Sequence, residues 1–315
     1  MNGIKLDEFL FEMNKVVIGR KEEFKLLFAA LLTEGHVLFE DLPGTGKTTM
    51  MKAFAHGLAS EFSRIQCTPD LLPTDVLGGS IFNPKTNDFY IRKGPVFTNV
   101  LLVDEINRAL PRTQSSLLEC MEEKQVTIEG DTYRLDAPFI VLATQNPVDM
   151  EGTFPLPEAQ MDRFLMKINL GYPSKEEETQ MLLQVGDDIP FEAISSVLDP
   201  AKIKQLQKEV KQVTVHESIL QYMTTLAQQT RNHPLISIGV SPRGTKALYK
   251  TVKAWALLNG RDYVVPEDVK EMIQPVWTHR ITLSPEARMS KRNSSDILKE
   301  IAKNEPIPEE EVIRL

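Results

Sequence analysis

Cysteine is scarce in this chain, with only Cys67 and Cys120 among 315 residues. Two thiols cannot build the multi-bridge framework of a small secreted domain, and neither stands at a metal-ligand spacing. Long hydrophobic runs are missing too. The longest unbroken apolar stretch is Leu26–Leu32, far short of the roughly 18 residues that a membrane helix needs. A basic excess is also lacking, since 36 Lys and Arg face 44 Asp and Glu for a net charge of -8. That balance argues against a dedicated sequence-specific nucleic-acid module, although a local basic patch can hide in an acidic average. The first eight residues, Met-Asn-Gly-Ile-Lys-Leu-Asp-Glu, carry acids where a signal peptide carries basic residues, so the expected location is the cytoplasm. Internal repeats and low-complexity segments are absent as well. What is present is an ordinary globular mix, 42% hydrophobic and 25% charged, with a length that suits two domains. The 12 methionines suit core filling better than a metal box.

The first half alternates brief apolar stretches with helical patterns. His36 to Glu40, Val100 to Asp104 and Phe139 to Ala143 are almost wholly apolar, as parallel strands buried on both faces must be. Between them, Met51, Phe54, Ala55 and Leu58 recur at helical spacing within Thr49 to Phe62. Strand and helix in alternation predict an α/β fold, a doubly wound parallel sheet sandwiched by helices. Past Gly171-Tyr172-Pro173-Ser174 the texture changes. Ser174-Lys175-Glu176-Glu177 is a capping box, predicted to open a helix that ends near Gly186. No clear strand follows it. Ile203, Leu206, Val210 and Val213 form one apolar stripe, and Ile219, Met223, Leu226 and Thr230 another. A helix over Arg243 to Leu258 should stop at Asn259-Gly260, and Pro266 should start a helix that Pro275 ends. The expectation is therefore a nucleotide-binding core over 1–190 and a small all-helical domain over 191–315, with a fraying tail from Glu300.

Chemistry concentrates in Pro43-Gly44-Thr45-Gly46-Lys47-Thr48, between the first strand and a helix. Glycines let backbone N–H groups point inward, the helix N-terminus adds positive dipole, and lysine reaches the β- and γ-phosphates. Thr48 would give its hydroxyl to Mg²⁺, and the cofactor-binding set runs from Pro43 through Thr49. A phosphate loop normally begins with glycine five positions before Lys47's neighbour Gly46, and this chain has Asp41 there. A second signal is Leu101-Leu102-Val103-Asp104-Glu105, a strand that delivers two acids at its C-terminal edge. Asp104 would hold Mg²⁺ through water and Glu105 would polarise the attacking water; taken alone, such an ending is also a solvated strand end. The third strand leads into Gln145-Asn146-Pro147, where the Asn146 amide could orient water or detect the γ-phosphate, or merely form an Asn-Pro turn. Val126 to Glu129 and Thr132 to Leu135 read as a hairpin around Gly130-Asp131. Asp75 to Phe97 holds similar material, as a projecting insertion or an inert sheet extension.

Together these residues resemble the MoxR group of AAA+ ATPases. The likeness runs through Ile18-Gly19-Arg20, the phosphate loop, Thr68 to Asp75, Asp104-Glu105-Ile106-Asn107-Arg108-Ala109 and Thr113 to Glu119. It continues through Ala143 to Pro147, Glu151 to Gln160, Asp162-Arg163-Phe164, Ser241-Pro242-Arg243 and Thr278-His279-Arg280-Ile281. Asp41 departs from the family's usual glycine, and Leu110 precedes Pro111 where a second proline is more typical. The resemblance implies an AAA+ core with a helical lid, and ATP and Mg²⁺ as cofactors. It implies an adenine pocket at Val17, Ile18 and Gly19. It makes Arg163 the arginine finger that reaches a neighbouring subunit's γ-phosphate, and Arg243 the second sensor arginine. Arg108 and Arg112 are further candidates to face the neighbour. By the same resemblance the chain would form a ring of six and mature protein complexes as a chaperone, often inserting a metal cofactor, beside a von Willebrand A-domain partner. Two rivals are a DNA-acting motor and a nucleotide-gated switch with little turnover.

Overall fold

The structure is a computed structural model that describes residues 6–40, 44–146, 152–183 and 194–308. The chain forms two compact units, one of residues 5–156 and 168–204, the other of 157–167 and 205–315. The segment 157–167, expected within the core, thus groups with the later helices.

The first unit begins with α1 (Leu6–Val16) and α2 (Lys21–Leu32), then β1 (Val37–Glu40), α3 (Lys47–Gly57) and β2 (Phe62–Gln66). There follow α4 (Pro73–Leu77), β3 (Gly78–Asn83), β4 (Asp88–Lys93), β5 (Val100–Asp104), α5 (Pro111–Glu123), β6 (Gln125–Ile128), β7 (Asp131–Arg134) and β8 (Ile140–Gln145). The sheet runs β2-β5-β8-β1-β9, with β9 spanning Met166–Ile168. The neighbours β2–β5, β5–β8 and β8–β1 are parallel. The three strands expected from apolar runs are the inner three, where every residue of β5 is buried. The two edge strands escape an apolar-run reading for different reasons: β2 has a wet side, reading Phe-Ser-Arg-Ile-Gln with only Ile65 buried, and β9 is only three residues long. For the same reason the helix expected over Thr49 to Phe62 is shorter. It closes at Gly57, Ala59 turns at φ 45°, and Phe62 already belongs to β2.

Helix α3 is held from behind by an aromatic cluster. Phe9 of α1 stacks on Phe28 of α2 at 5.4 Å and meets Phe54 of α3 edge-on at 5.9 Å. Each such pair contributes about 0.5–1.5 kcal/mol beyond its buried area. Two hairpins form small sheets apart from the central one. β6 and β7 turn through Glu129–Gly130, both at positive φ, one residue earlier than the sequence suggests. β3 and β4 form the other, with Phe82 and Phe89 exposed and their rings 5.2 Å apart.

The remaining elements are α6 (Glu158–Met161), α7 (Lys175–Leu183), α8 (Pro200–Gln212), α9 (Glu217–Asn232), β10 (Ile236–Ile238), α10 (Pro242–Leu258), α11 (Pro266–Trp277), β11 (Thr282–Leu283), α12 (Pro285–Met289) and α13 (Ser294–Asn304). The capping box of α7 is present, with Ser174 N–H donating to Glu177 Oε2 at 2.7 Å and Glu177 N–H to Ser174 Oγ at 3.2 Å. Its end near Gly186 lies outside the described residues. Both apolar stripes are buried, the first on α8 and just past its end at Val213, the second on α9. Three features correct the sequence reading. Pro275 does not end α11, which continues to Trp277; a proline in the last turn forfeits few helix bonds, and the buried Trp277 anchors the end by donating Nε1–H to Gly244 O at 3.0 Å. The second unit also holds a short antiparallel pair, β10 with β11, too brief to leave a pattern. Glu300 to Asn304 is not a frayed tail but the end of α13, where Ile301 and Ala302 are buried. Residues beyond 308 are outside the described set.

Candidate functional site

Parallel strands point their C-terminal ends the same way, and α/β sheets bind ligands there. Here β1, β8 and β5 are consecutive in the sheet. They bring Glu40, Gln145 with Asn146, and Asp104 with Glu105 to one edge. Gly44 and Gly46 follow β1 at φ 83° and 80°. Among the described residues, chain neighbours aside, a Cβ at either would meet no atom within 4 Å, so it is the left-handed backbone that calls for glycine. Gly46 is the N-cap of α3 and has no side chain to cap it. The first-turn amides at Lys47, Thr48 and Thr49 stand at the N-terminus of α3, the end of a helix that favours an anion. Lys47 and Thr48 are half-buried and Thr49 is exposed. Asp41 and Pro43 lie outside the described residues. Gln145 is committed elsewhere, its Nε2–H donating to Glu40 Oε1 at 2.7 Å across the β1–β8 register.

The acidic pair is held by Arg64 and Thr144, to which the sequence reading gave no role, and by Arg108. Asp104 is buried to 7% exposure. Its Oδ2 accepts from Arg64 Nε at 2.7 Å and its Oδ1 from Thr144 Oγ1 at 3.3 Å. The Thr144 hydroxyl in turn accepts the Glu105 backbone N–H at 2.9 Å. One hydroxyl on β8 thus fixes both acids of β5. Glu105 adopts φ 56°, ψ 51°, a left-handed conformation that costs a non-glycine residue of order 1–3 kcal/mol. Its carboxylate pairs with Arg108 Nε at 2.9 Å. The sequence did hold a signal for Thr144. It is a polar side chain inside a buried apolar strand, and such a group must find partners. Arg64 was hidden because β2 was.

These residues fit a magnesium nucleotide. Among the described residues no group of three or more His, Cys, Asp or Glu could hold a metal. A cation here would take its oxygens from Thr48, Asp104 and the nucleotide's phosphates, the sparse protein ligation that Mg²⁺ favours. Asn146 follows β8 directly, half-buried, at the same edge. Val17, Ile18 and Gly19 form the turn after α1, with Gly19 at φ 76°. Arg20 anchors that turn, donating to Leu170 O at 2.5 Å and Gly171 O at 3.0 Å while pairing with Glu23 at 3.1 Å. In the second unit, Arg163 is half-buried in the turn after α6 and Arg243 is exposed in the first turn of α10. The expected set is therefore divided between the two units: phosphate loop, acids, Asn146 and the 17–19 turn in one, both arginines in the other.

Comparison with known proteins agrees with this geometry. Residues 36–166 match the model for the ATPase family associated with various cellular activities (AAA), and residues 228–301 match the AAA lid domain. The chain is 48% identical to the uncharacterized protein YeaC of Bacillus subtilis, over 94% of this chain and 92% of that one. It is 37% identical to the chaperone MoxR1 of Mycobacterium tuberculosis, over 96% and 82%. A crystal structure from Cytophaga hutchinsonii, of a protein described provisionally as an ATPase, superposes with a TM-score of 0.90 at 41% identity, covering 97% of this chain and 95% of the other.

Proposed function

The chain belongs to the MoxR-type AAA+ ATPases, and from that premise we propose that it is a Mg²⁺-dependent ATP hydrolase whose turnover drives chaperone-like remodelling or maturation of a protein complex. The observation that carries this reading is the pair Asp104 and Glu105, fixed by the single Thr144 hydroxyl at the sheet edge that also bears the phosphate loop. Bound Mg²⁺ would neutralise charge on the β- and γ-phosphates. Lys47 and the first-turn amides of α3 hold the phosphates, and Thr48 and Asp104 supply protein oxygens for the cation. Glu105 takes a proton from the attacking water once its carboxylate parts from Arg108, and Asn146 orients that water. Val17, Ile18 and Gly19 hold the base. Arg163 supplies positive charge to a neighbour's γ-phosphate, which requires a ring, six-membered in this reading. Arg243 reports nucleotide state to the helical domain. A von Willebrand A-domain partner and insertion of a metal into the client belong to the same proposal, as does a cytoplasmic setting; among the described residues no helix is long and apolar enough to cross a membrane.

Phosphate release by Glu105→Gln tests the reading. The amide keeps the shape but not the basicity, so turnover should fall by roughly 10²–10⁴ while ATP still binds. Unchanged turnover would remove Glu105 from the chemistry. Lys47→Ala should instead abolish tight ATP binding by calorimetry, because the point charge facing the phosphates is lost. Turnover that needs DNA would favour the motor, and ATP binding without phosphate release would favour the switch.

A further inference from the structure

The two arginines of the second unit are bolted to a common group. Arg280 is 9% exposed, and its guanidinium is fully engaged. Nε donates to Asp162 Oδ1 at 2.6 Å, Nη2 to Asp162 O at 3.2 Å and Phe164 O at 2.6 Å, and Nη1 to Leu165 O at 2.8 Å and to Val276 O. The carbonyls of residues 162, 164 and 165 lie on both sides of Arg163 in the chain, so one planar fork sets the backbone from which Arg163 projects. His279 adds a hydrogen bond from Nε2 to Phe164 O at 3.1 Å. The other oxygen of Asp162 accepts from Ser241 Oγ at 3.3 Å. Ser241 is the N-cap of α10, where its Oγ also accepts the Gly244 N–H at 3.1 Å, and Arg243 stands in that same first turn. The turn packs directly on Arg280: a Cβ at Gly244 would fall 2.9 Å from Arg280 Cδ and 2.7 Å from Val240 Cγ1. Burial, and beyond it the like charge of Arg243, press the Arg280 guanidinium below its ordinary pKa, while Asp162 opposes them.

We propose that Asp162, Arg280 and Ser241 form a hub that joins the Arg163 turn and the first turn of α10 into one rigid body, so that the arginine offered to a neighbouring subunit and the arginine at the start of α10 move together. Its functional arm rests on the reading of Arg163 as a finger acting in trans. All three hub members are positioning residues, since none is placed at the nucleotide. A lysine cannot replace Arg280, because an ammonium on a flexible stem lacks the rigid fork that serves four carbonyls and a carboxylate at once. The hub also gives the buried guanidinium a structural reason to exist beside two other arginines. Coupling between sites needs a physical element that both sides share, and this hub is one.

Two measurements on the full-length protein test it. The first is amide hydrogen exchange over residues 160–165 and 243–247. In the wild type both segments should show one common protection. In Arg280→Lys the 160–165 amides should lose protection by roughly tenfold or more as local opening becomes easier, with α10 little changed. Ser241→Gly, a substitution that keeps a tolerated helix cap, should separate the two segments without unfolding either, and carries the test if Arg280→Lys does not fold. Independent exchange in the wild type, or unchanged coupling in both variants, would overturn the hub. The second measurement is ATP turnover of mixed subunits. Arg280→Lys mixed with Glu105→Gln should exceed the sum of the two alone, as Arg163→Ala mixed with Glu105→Gln should, because the damage lies in what is offered to the neighbour. Arg280→Lys failing to complement where Arg163→Ala succeeds overturns the hub's functional arm. Arg163→Ala failing to complement while the exchange result holds overturns the finger reading and leaves the rigid link standing.

Discussion

Thr144 is the residue on which the candidate site turns. Its hydroxyl accepts the Glu105 N–H and donates to Asp104, so it holds a strained backbone and orients a buried carboxylate at once. Thr144→Val keeps the shape and removes both bonds. A buried N–H left without an acceptor costs about 1–3 kcal/mol, and that loss should appear as a lower urea midpoint with an unchanged slope. Turnover should fall with it, because Glu105 loses the bond that fixes its left-handed conformation. Thr144→Ser, which keeps the hydroxyl, should restore most of both. A Thr144→Val protein with wild-type midpoint and turnover would show that the strand end is fixed by something else.

At the scale of elements, the sheet depends on a histidine that must stay neutral. His36 precedes β1 and is 5% exposed. Its Nε2–H donates to Met121 O at 2.9 Å and its Nδ1 accepts the Val141 N–H at 3.0 Å, which ties β1 to the end of α5 and to β8. Burial lowers its pKa to about 4. In the unfolded chain the ring titrates near 6.5, so between these values the unfolded state binds more protons. Stability is therefore whole above about pH 6.5 and declines as pH falls toward 4, by up to ~1.4 kcal/mol per pH unit for this group. His279, also buried and held well below its ordinary pKa, acts in the same direction. Urea midpoints between pH 7 and 4 should fall for the wild type and fall less steeply for His36→Gln. A flat wild-type profile would mean that neither ring stays neutral on folding.

The same elements show what the sequence made legible. β1, β5 and β8 could be read because strands buried on both faces have no choice but to be apolar. The helices of the second unit could be read because their stripes and caps are local. Both edge strands are hard to read, β2 because its outer face carries Arg64 and Gln66 and β9 because it is only three residues long, and Arg64 goes unread with β2 although it grips Asp104. The phosphate loop, Asp104 and Glu105 were visible as a motif. The Asp162–Arg280 pair was not, since it joins residues 118 apart in the chain and no local pattern announces it.

At the scale of the whole molecule the remaining question is assembly. A cation that acts on another subunit's nucleotide has a role only if a second copy abuts the site head to tail, and head-to-tail contacts that close make a ring. Nucleotide held between two copies binds the assembled state better than the free one. At 100 times its Kd such a ligand stabilises that state by about 2.7 kcal/mol per site. Sedimentation velocity should therefore show the ring forming at lower protein concentration with ATP than without, most clearly in Glu105→Gln, which should bind ATP while turning it over far more slowly. Arg163→Ala should lose most of this ATP dependence and also lower turnover by roughly 10³ or more, while each subunit still binds ATP. Each subunit carries a net charge of -8, so like-charge repulsion opposes assembly, and moderate salt should help the ring form by screening it. A protein that stays monomeric with ATP at high concentration, yet hydrolyses at its full rate, would leave Arg163 a surface residue and the catalytic unit a single chain.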